Sequence, residues 1–208
     1  MTPRQPVRVD DAFVVLDKPA GLLSVPGRGE TGLHNLWSLA RQHWADVQVV
    51  HRLDMATSGL IVLARGDAAQ RALSASFRER RVDKRYVAVV HGLPAEDPVE
   101  IDLPLLADWP NRPRQKVDPV AGKPSLTRWR MRARDPARGW TRLELEPVTG
   151  RSHQLRVHLA AIGHAIVGDA LYGPTPPGAP RLLLHAQRLA FPHPRDGSRV
   201  DCQADAPF

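Results

Sequence analysis

One carboxylate, Asp54, sits in the segment His51-Arg52-Leu53-Asp54-Met55-Ala56-Thr57-Ser58-Gly59-Leu60, a polar loop between two β-rich runs, Val47 to Leu53 and Leu60 to Ala64. A carboxylate can attack a sugar carbon, stabilise positive charge there or remove a neighbouring proton. Taken singly, an aspartate ahead of Thr-Ser-Gly is an ordinary turn residue. Glu144 and Glu146 are further carboxylates, but nothing in the sequence pairs either with Asp54. Nine histidines invite a metal reading. His153 and His158, however, are five apart on an expected helix, so they miss the shared face of a pair four apart, and no metal is expected. Gly27-Arg28-Gly29 offers a weak phosphate cradle that an ordinary loop explains better. The single cysteine, Cys202, excludes an internal disulfide and any zinc site built on several cysteines, including that of the zinc base deaminases.

The elements that must position these residues alternate strands with a few helices. Phe13 to Asp17 reads as a strand closed by Lys18-Pro19-Ala20-Gly21. Thr31 is placed to cap a helix through about Trp44, and Asp67 to cap another that turns Leu73 and Phe77 inward and Arg71, Arg78, Arg80 and Arg81 outward. Tyr86 to Val90 is a strand, and Asp97 to Lys123 is proline-rich and too broken for core. From Leu126 to Arg134 the chain alternates, with Thr127, Trp129, Met131 and Ala133 on one face and Arg128, Arg130, Arg132 and Arg134 on the other. Thr141 to Glu146 completes a hairpin with it. Ser152 is placed to cap a helix to Ile162 that ends at Gly163, and a strand runs from Leu182 to about Phe191. This pattern is α+β, a mixed and mainly antiparallel sheet.

The 208 residues can bury one sizeable core, so one domain over residues 1–208 is expected. Of them 42% are hydrophobic and 25% charged, values outside the disordered class. The net charge is +7, carried by 25 Arg against 4 Lys. Such an excess points to a polyanionic partner, because the planar guanidinium fork pairs with phosphate and stacks on bases. Codon composition explains the Arg-to-Lys ratio about as well, but not the charge. Met1 to Asp10 has no apolar core of a signal peptide, and no later run reaches about 20 apolar residues, so membrane insertion is not expected and a cytoplasmic location is.

His51 to Leu60 resembles the signature of the RluA family of RNA pseudouridine synthases. Lys84-Arg85-Tyr86 resembles that family's tyrosine segment, and Thr149-Gly150-Arg151-Ser152-His153-Gln154-Leu155-Arg156-Val157-His158 its arginine segment. Lys18-Pro19-Ala20-Gly21-Leu22, Gly163-His164 to Gly173, and Leu183-Leu184-His185-Ala186 extend the resemblance over nearly the whole chain. It implies the pseudouridine synthase fold, with helices and loops around a central cleft, and isomerisation of uridine in structured RNA without a cofactor. The implied catalytic residues are Asp54, Tyr86 and Arg156. Asp54 acts either on C1′ of the sugar or on the 2′ proton; Arg156 keeps it ionised; Tyr86 stacks on the flipped base and assists proton removal at C5. Arg52 is the candidate to fill the vacancy left by that base. The basic face of the 126–134 strand makes Arg128 and Arg130 candidate RNA contacts, with a merely solvated sheet face as an equal alternative. The implied partner is tRNA, 23S rRNA or both, bound by a monomer. The N-terminal S4-type domain of many members is expected to be absent, since Phe13 already begins the catalytic domain. A protein of the same fold that binds RNA without turnover is the alternative, against which the presence of Asp54, Tyr86 and Arg156 argues.

The charge excess predicts that RNA affinity falls steeply as salt rises, with several counterions released, and that neutralising Arg128 and Arg130 weakens binding. Titration of a labelled stem-loop over a range of salt checks this; a flat response removes the polyanion argument.

Overall fold

A computed structural model describes residues 6–27, 34–94 and 99–208. In chain order its elements are β1 (Arg8–Val9), β2 (Phe13–Lys18), α1 (Leu36–Arg41), β3 (Val47–Val49), β4 (Ser58–Arg65), α2 (Gly66–Arg78), β5 (Asp83–His91), β6 (Val99–Asp102), β7 (Leu105–Ala107), β8 (Gln115–Val117), β9 (Leu126–Asp135), β10 (Trp140–Pro147), α3 (Gln154–Ala161), β11 (Leu184–Pro192) and β12 (Arg199–Gln203). Two compact units are formed, one from residues 1–84 with 185–207 and one from 85–184 with 208.

The first unit is built around β4, whose residues are buried from Ser58 to Ala64 because it lies inside the sheet. β2 and β3 pair with it antiparallel and β11 parallel, while β1 extends β2 and β12 extends β11. This is a mixed sheet. Leu60, Val62 and Ala64 share one face with Phe13 and Val15, and α2 covers that face with Ala69 and Leu73. The rings of Phe13 and Phe191 meet edge to face at 5.1 Å in the same core. The expected inward residue Phe77 is only partly buried, packed at the margin. Arg65, not Asp67, is the N-cap of α2; Asp67 lies within the first turn, where its charge faces the positive end of the helix. α1 is shorter than expected. Asn35 caps it by accepting from the Ser38 N–H at 2.9 Å, and it ends at Arg41; Thr31, the expected cap, lies outside the described residues, as do Arg28 and Gly29.

The second unit carries an antiparallel sheet in the order β5, β10, β9, β6, with β7 and β8 paired separately. The proline-rich stretch thus contains three strands, and Ile101 and Leu105 are buried. In β9 the alternation breaks. Met131 pairs with Leu143 and Ala133 with Arg142, so the register shifts at the intervening Arg132, and Ala133 is exposed instead of joining Thr127 and Trp129 inside. One extra residue in a strand reverses the side on which its successors point. α3 begins after His153, which adopts the left-handed conformation at φ 54°, so Ser152 is not its cap.

Gly59 sits where β4 and β11 run closest. A Cβ there would come within 2.4 Å of the Ala186 carbonyl oxygen, and its φ of +113° is foreign to other residues. Gly59→Ala is therefore expected to destabilise the protein by more than about 2 kcal/mol, read from denaturant unfolding against Gly66→Ala, which has open space around it.

Candidate active site

Asp54 stands in a loop held from three directions within the first unit. Ser24 Oγ donates to the Leu53 carbonyl at 2.8 Å and accepts the Leu53 N–H at 3.1 Å. The Gly21 N–H donates to the Met55 carbonyl at 2.8 Å. Lys18, 0% exposed, donates from Nζ to the carbonyls of Pro19, Leu22 and Met55 at 2.9, 2.7 and 3.1 Å. All three ammonium protons thereby find acceptors, the condition for placing such a group away from water. The Asp54 carbonyl itself accepts the Thr57 N–H, which closes the turn. Leu53 and Thr57 are buried on either side, and Asp54 itself is half-buried. Arg52 is exposed, and no ion pair engages it among the described residues.

Histidines brace this loop through their ring nitrogens. His51 Nε2 accepts the Val62 N–H at 3.0 Å while its ring stacks on Phe77 at 4.4 Å. Burial, with Lys84 nearby, lowers its pKa to about 3, so the acceptor role persists at any ordinary pH. His185 Nε2 faces the Ala204 carbonyl, which can only accept; in the neutral ring Nδ1 is then left to accept from the Ser58 hydroxyl at 2.9 Å. In the second unit His158 lies between Thr127 Oγ1 and the Leu103 carbonyl, and burial lowers its pKa too. Among the described residues no group of three or more His, Cys, Asp or Glu is placed to hold a metal, and no helix is long and apolar enough to cross a membrane.

Arg156 lies in the buried first turn of α3. The entry to this helix is tied to β9 by Gln154, which donates to the Leu126 carbonyl and Thr127 Oγ1 and accepts from Thr149 Oγ1 and the Arg151 N–H. Arg156 itself forms a two-pronged pair with Asp169, Nε to Oδ2 at 2.8 Å and Nη2 to Oδ1 at 2.7 Å. Burial would raise the Asp169 pKa; the Arg156 guanidinium and the N–H groups of Leu171 and Tyr172 outweigh it and hold the carboxyl below its ordinary value. The Arg156 guanidinium also lies 5.1 Å from the centre of the Tyr172 ring. Tyr172 Oη accepts the Gln115 N–H and shares a proton with His153 Nδ1, both at 2.7 Å. Asp169, Tyr172, Lys18 and Ser24 were missed as site-building residues by sequence reasoning. Three of them lie in or beside matched segments, but their partners are far along the chain.

Tyr86 is half-buried in β5, opposite Leu145, which in turn faces Trp129, so these three share one side of the sheet. Arg128 and Arg130 point to the other side. Each meets a carboxylate there: Arg128 pairs with Glu100 at 2.7 Å, Arg130 and Arg132 both reach Glu144, and Arg85 reaches Glu146. Four guanidinium groups against three carboxylates leave that face with little net charge.

A family model described as RNA pseudouridylate synthase matches residues 12–161. The chain is 50% identical over 190 residues to a dual-specificity RNA pseudouridine synthase RluA of Pasteurella multocida, which covers 90% of this chain and 86% of that protein. It is 48% identical over 202 residues to the protein of that name from Escherichia coli strain K12, covering 96% and 91%. Among solved structures, human RNA pseudouridylate synthase domain containing 1 superposes with a TM-score of 0.78 at 30% identity, covering 96% of this chain and 82% of that one. The human domain containing 4 protein shares the fold at a TM-score of 0.79 and 23% identity, covering 98% and 89%.

Since the folded-state pKa of Asp169 is depressed, the stability it contributes is present above its unfolded value near 3.8 and is lost as pH falls through the folded value. Asp169→Asn leaves the Arg156 guanidinium buried without its counter-charge and is expected to cost roughly 3–5 kcal/mol at neutral pH. Unfolding titrations of parent and variant from pH 7 downward should converge below pH 4; a constant difference across that range would remove the ion pair from the account.

Proposed function

Because the chain belongs to the RNA pseudouridylate synthase family, we propose that Asp54 is the carboxylate with which it isomerises uridine to pseudouridine in structured RNA. The reaction breaks the bond from C1′ to N1, turns the base and joins C1′ to C5; the proton leaving C5 balances the one gained at N1. No electron changes hands, so the chemistry calls for no redox cofactor. The observation that carries the reading is the loop around Asp54: Lys18, Gly21 and Ser24 fix its backbone, and the residue is half-buried there. A reacting group held in this way has little reorganisation left to undergo.

Asp54 acts in one of two ways, by attack at C1′ or by removal of the 2′ proton to give a glycal. Tyr86 supplies a ring for the flipped uracil and a phenol for the C5 proton. Arg156 is the arginine assigned to the reaction, and its clamp on Asp169 fixes its orientation. Arg52, exposed and two residues from Asp54, enters the space the base vacates and offsets part of the unstacking cost. Arg128 and Arg130 contribute to RNA affinity once their carboxylate partners yield to phosphate. The RluA proteins that the chain resembles are called dual-specificity, which supports two substrates here, a tRNA anticodon stem-loop and a 23S rRNA hairpin of similar loop sequence. RNA of this kind is read through shape and flipped bases. We assign the protein to the cytoplasm as a monomer, where tRNA and ribosomal RNA are found and where buried Cys202 stays reduced.

Asp54→Asn keeps the shape and removes the charge, so turnover is expected to fall by about four powers of ten or more, on the order of 5 kcal/mol in the barrier. RNA binding is kept or slightly tightened, since one anionic repulsion disappears. Pseudouridine formation and RNA affinity measured on one preparation separate the alternatives. Turnover within about tenfold of the parent refutes the assignment; loss of binding as well makes Asp54 structural.

A further inference from the structure

The tip of the β7–β8 hairpin carries a feature that the reaction does not use. Trp109 is 66% exposed in a short 3-10 turn (Trp109–Asn111), the one aromatic side chain among the large exposed hydrophobics of the described residues. Tryptophan is usually among the more buried residues, and an indole left in water at a loop end forgoes its hydrophobic contribution to folding. The ring is not lying idle against the hairpin. The guanidinium carbon of Arg112 sits 3.3 Å from its centre, and Arg112 Nε donates to the Trp109 carbonyl, so one face carries a cation and the other is turned to solvent.

The loop that presents this stack is internally closed. Asp108 N–H donates to the Arg114 carbonyl, Asn111 N–H to the Asp108 carbonyl and Arg114 N–H to the Asn111 carbonyl, each at 3.0 Å, and Asn111 Nδ2 donates to the Asp108 carboxylate at 2.9 Å. Its base is also fixed. The Arg114 guanidinium donates to the Leu171 carbonyl, and the Gln115 N–H to Tyr172 Oη. That tyrosine belongs to the same short segment, Asp169 to Tyr172, whose carboxylate and N–H groups hold Arg156. The surroundings are basic: Arg112, Arg114, Lys116 and Lys123 against Asp108 and Asp118, with Lys123 joined to the hairpin through Leu105.

We propose that the Trp109–Arg112 stack is a docking platform for an unpaired nucleobase of the RNA substrate. A flat π surface exposed beside cations, on a loop already ordered, fits a base with its attached phosphate, since stacking tolerates any base and the cations meet the backbone. Little entropy is lost on binding because the loop has few conformations to surrender. The platform rests on the reading that the partner is RNA, and none of its residues is one given a chemical role. It supplies affinity and register for a loop nucleotide other than the one isomerised.

The experiment uses the full chain with a fluorescein-labelled anticodon stem-loop, measuring Kd by anisotropy and pseudouridine formation in single turnover at saturating enzyme. Trp109→Ala is expected to raise Kd about tenfold, as removal of one base–aromatic stack does. Trp109→Phe, which keeps a stacking face, should stay within about threefold of the parent, and the Trp109→Ala loss should fall more on Kd than on the saturating rate. A Trp109→Ala Kd within about twofold of the parent overturns the platform, as does an equal loss in Trp109→Phe, which would mark packing instead of stacking. Self-association that disappears in Trp109→Ala while RNA affinity holds assigns the tip to a protein contact and also overturns it. If the parent binds the stem-loop but forms no pseudouridine, the catalytic reading fails, and the Kd comparison still judges the platform.

Discussion

A lysine ammonium shut away from water must have an acceptor for each of its three protons, and in this protein that requirement organises the loop that matters most. Lys18 closes β2, and the carbonyls of Pro19 and Leu22 come to its Nζ from the turn that follows. The third acceptor, Met55, lies 37 residues further on and is the neighbour of Asp54. The turn after β2 and the loop before β4 are therefore clamped to one charge. Removing any acceptor would leave a buried cation partly unsatisfied, a cost of several kcal/mol. That cost holds the backbone at Asp54 in one place, and the residue is half-buried there.

The same reasoning applies to Arg156 and Asp169, with both partners charged. Each alone would be intolerable where they lie; together, and with the Leu171 and Tyr172 N–H groups, the carboxylate accepts four hydrogen bonds, three at Oδ1 and one at Oδ2. The consequence is orientation. A guanidinium fixed by two prongs presents its remaining edge in one direction, and a lysine could not reproduce that fork. By contrast, Arg128, Arg130 and Arg132 of β9 are solvent-exposed and meet carboxylates on β6 and β10. Such pairs contribute little to stability and can exchange partners, so this face differs in kind from the buried pair although both consist of Arg and acid.

Three of the histidines, the residue type that first suggests metal or acid–base chemistry, hold parts of this fold together through hydrogen bonds. His51 and His158 are kept neutral by burial, and His185 is oriented by the one-way acceptor at Ala204. Each serves as a junction between strands or between a strand and a loop. Their number in the sequence says nothing of this, since a neutral imidazole that accepts at one nitrogen and donates at the other is a compact structural bridge.

The amino-acid sequence by itself determined the chemistry-bearing segments, the family, the α+β class and most strands of both units. These are local properties: alternation marks β9 and β10, a continuous apolar run marks β4, and the spacing within His51 to Leu60 marks the loop of Asp54. Caps and registers were less legible. Asn35 replaced the expected cap of α1, His153 took a left-handed conformation ahead of α3, and a shift at Arg132 turned Ala133 outward. A single backbone angle or one inserted residue decides such features, and the neighbouring sheet selects it. Only the tertiary structure decided that Lys18 reaches Met55, that Asp169 is the partner of Arg156 and that Tyr172 bridges the β8 strand to His153. Those contacts join residues 13 to 57 positions apart, and their chemistry depends on exclusion from water. No local pattern of residue types records which charge will be buried beside which, because desolvation is a property of the packed whole.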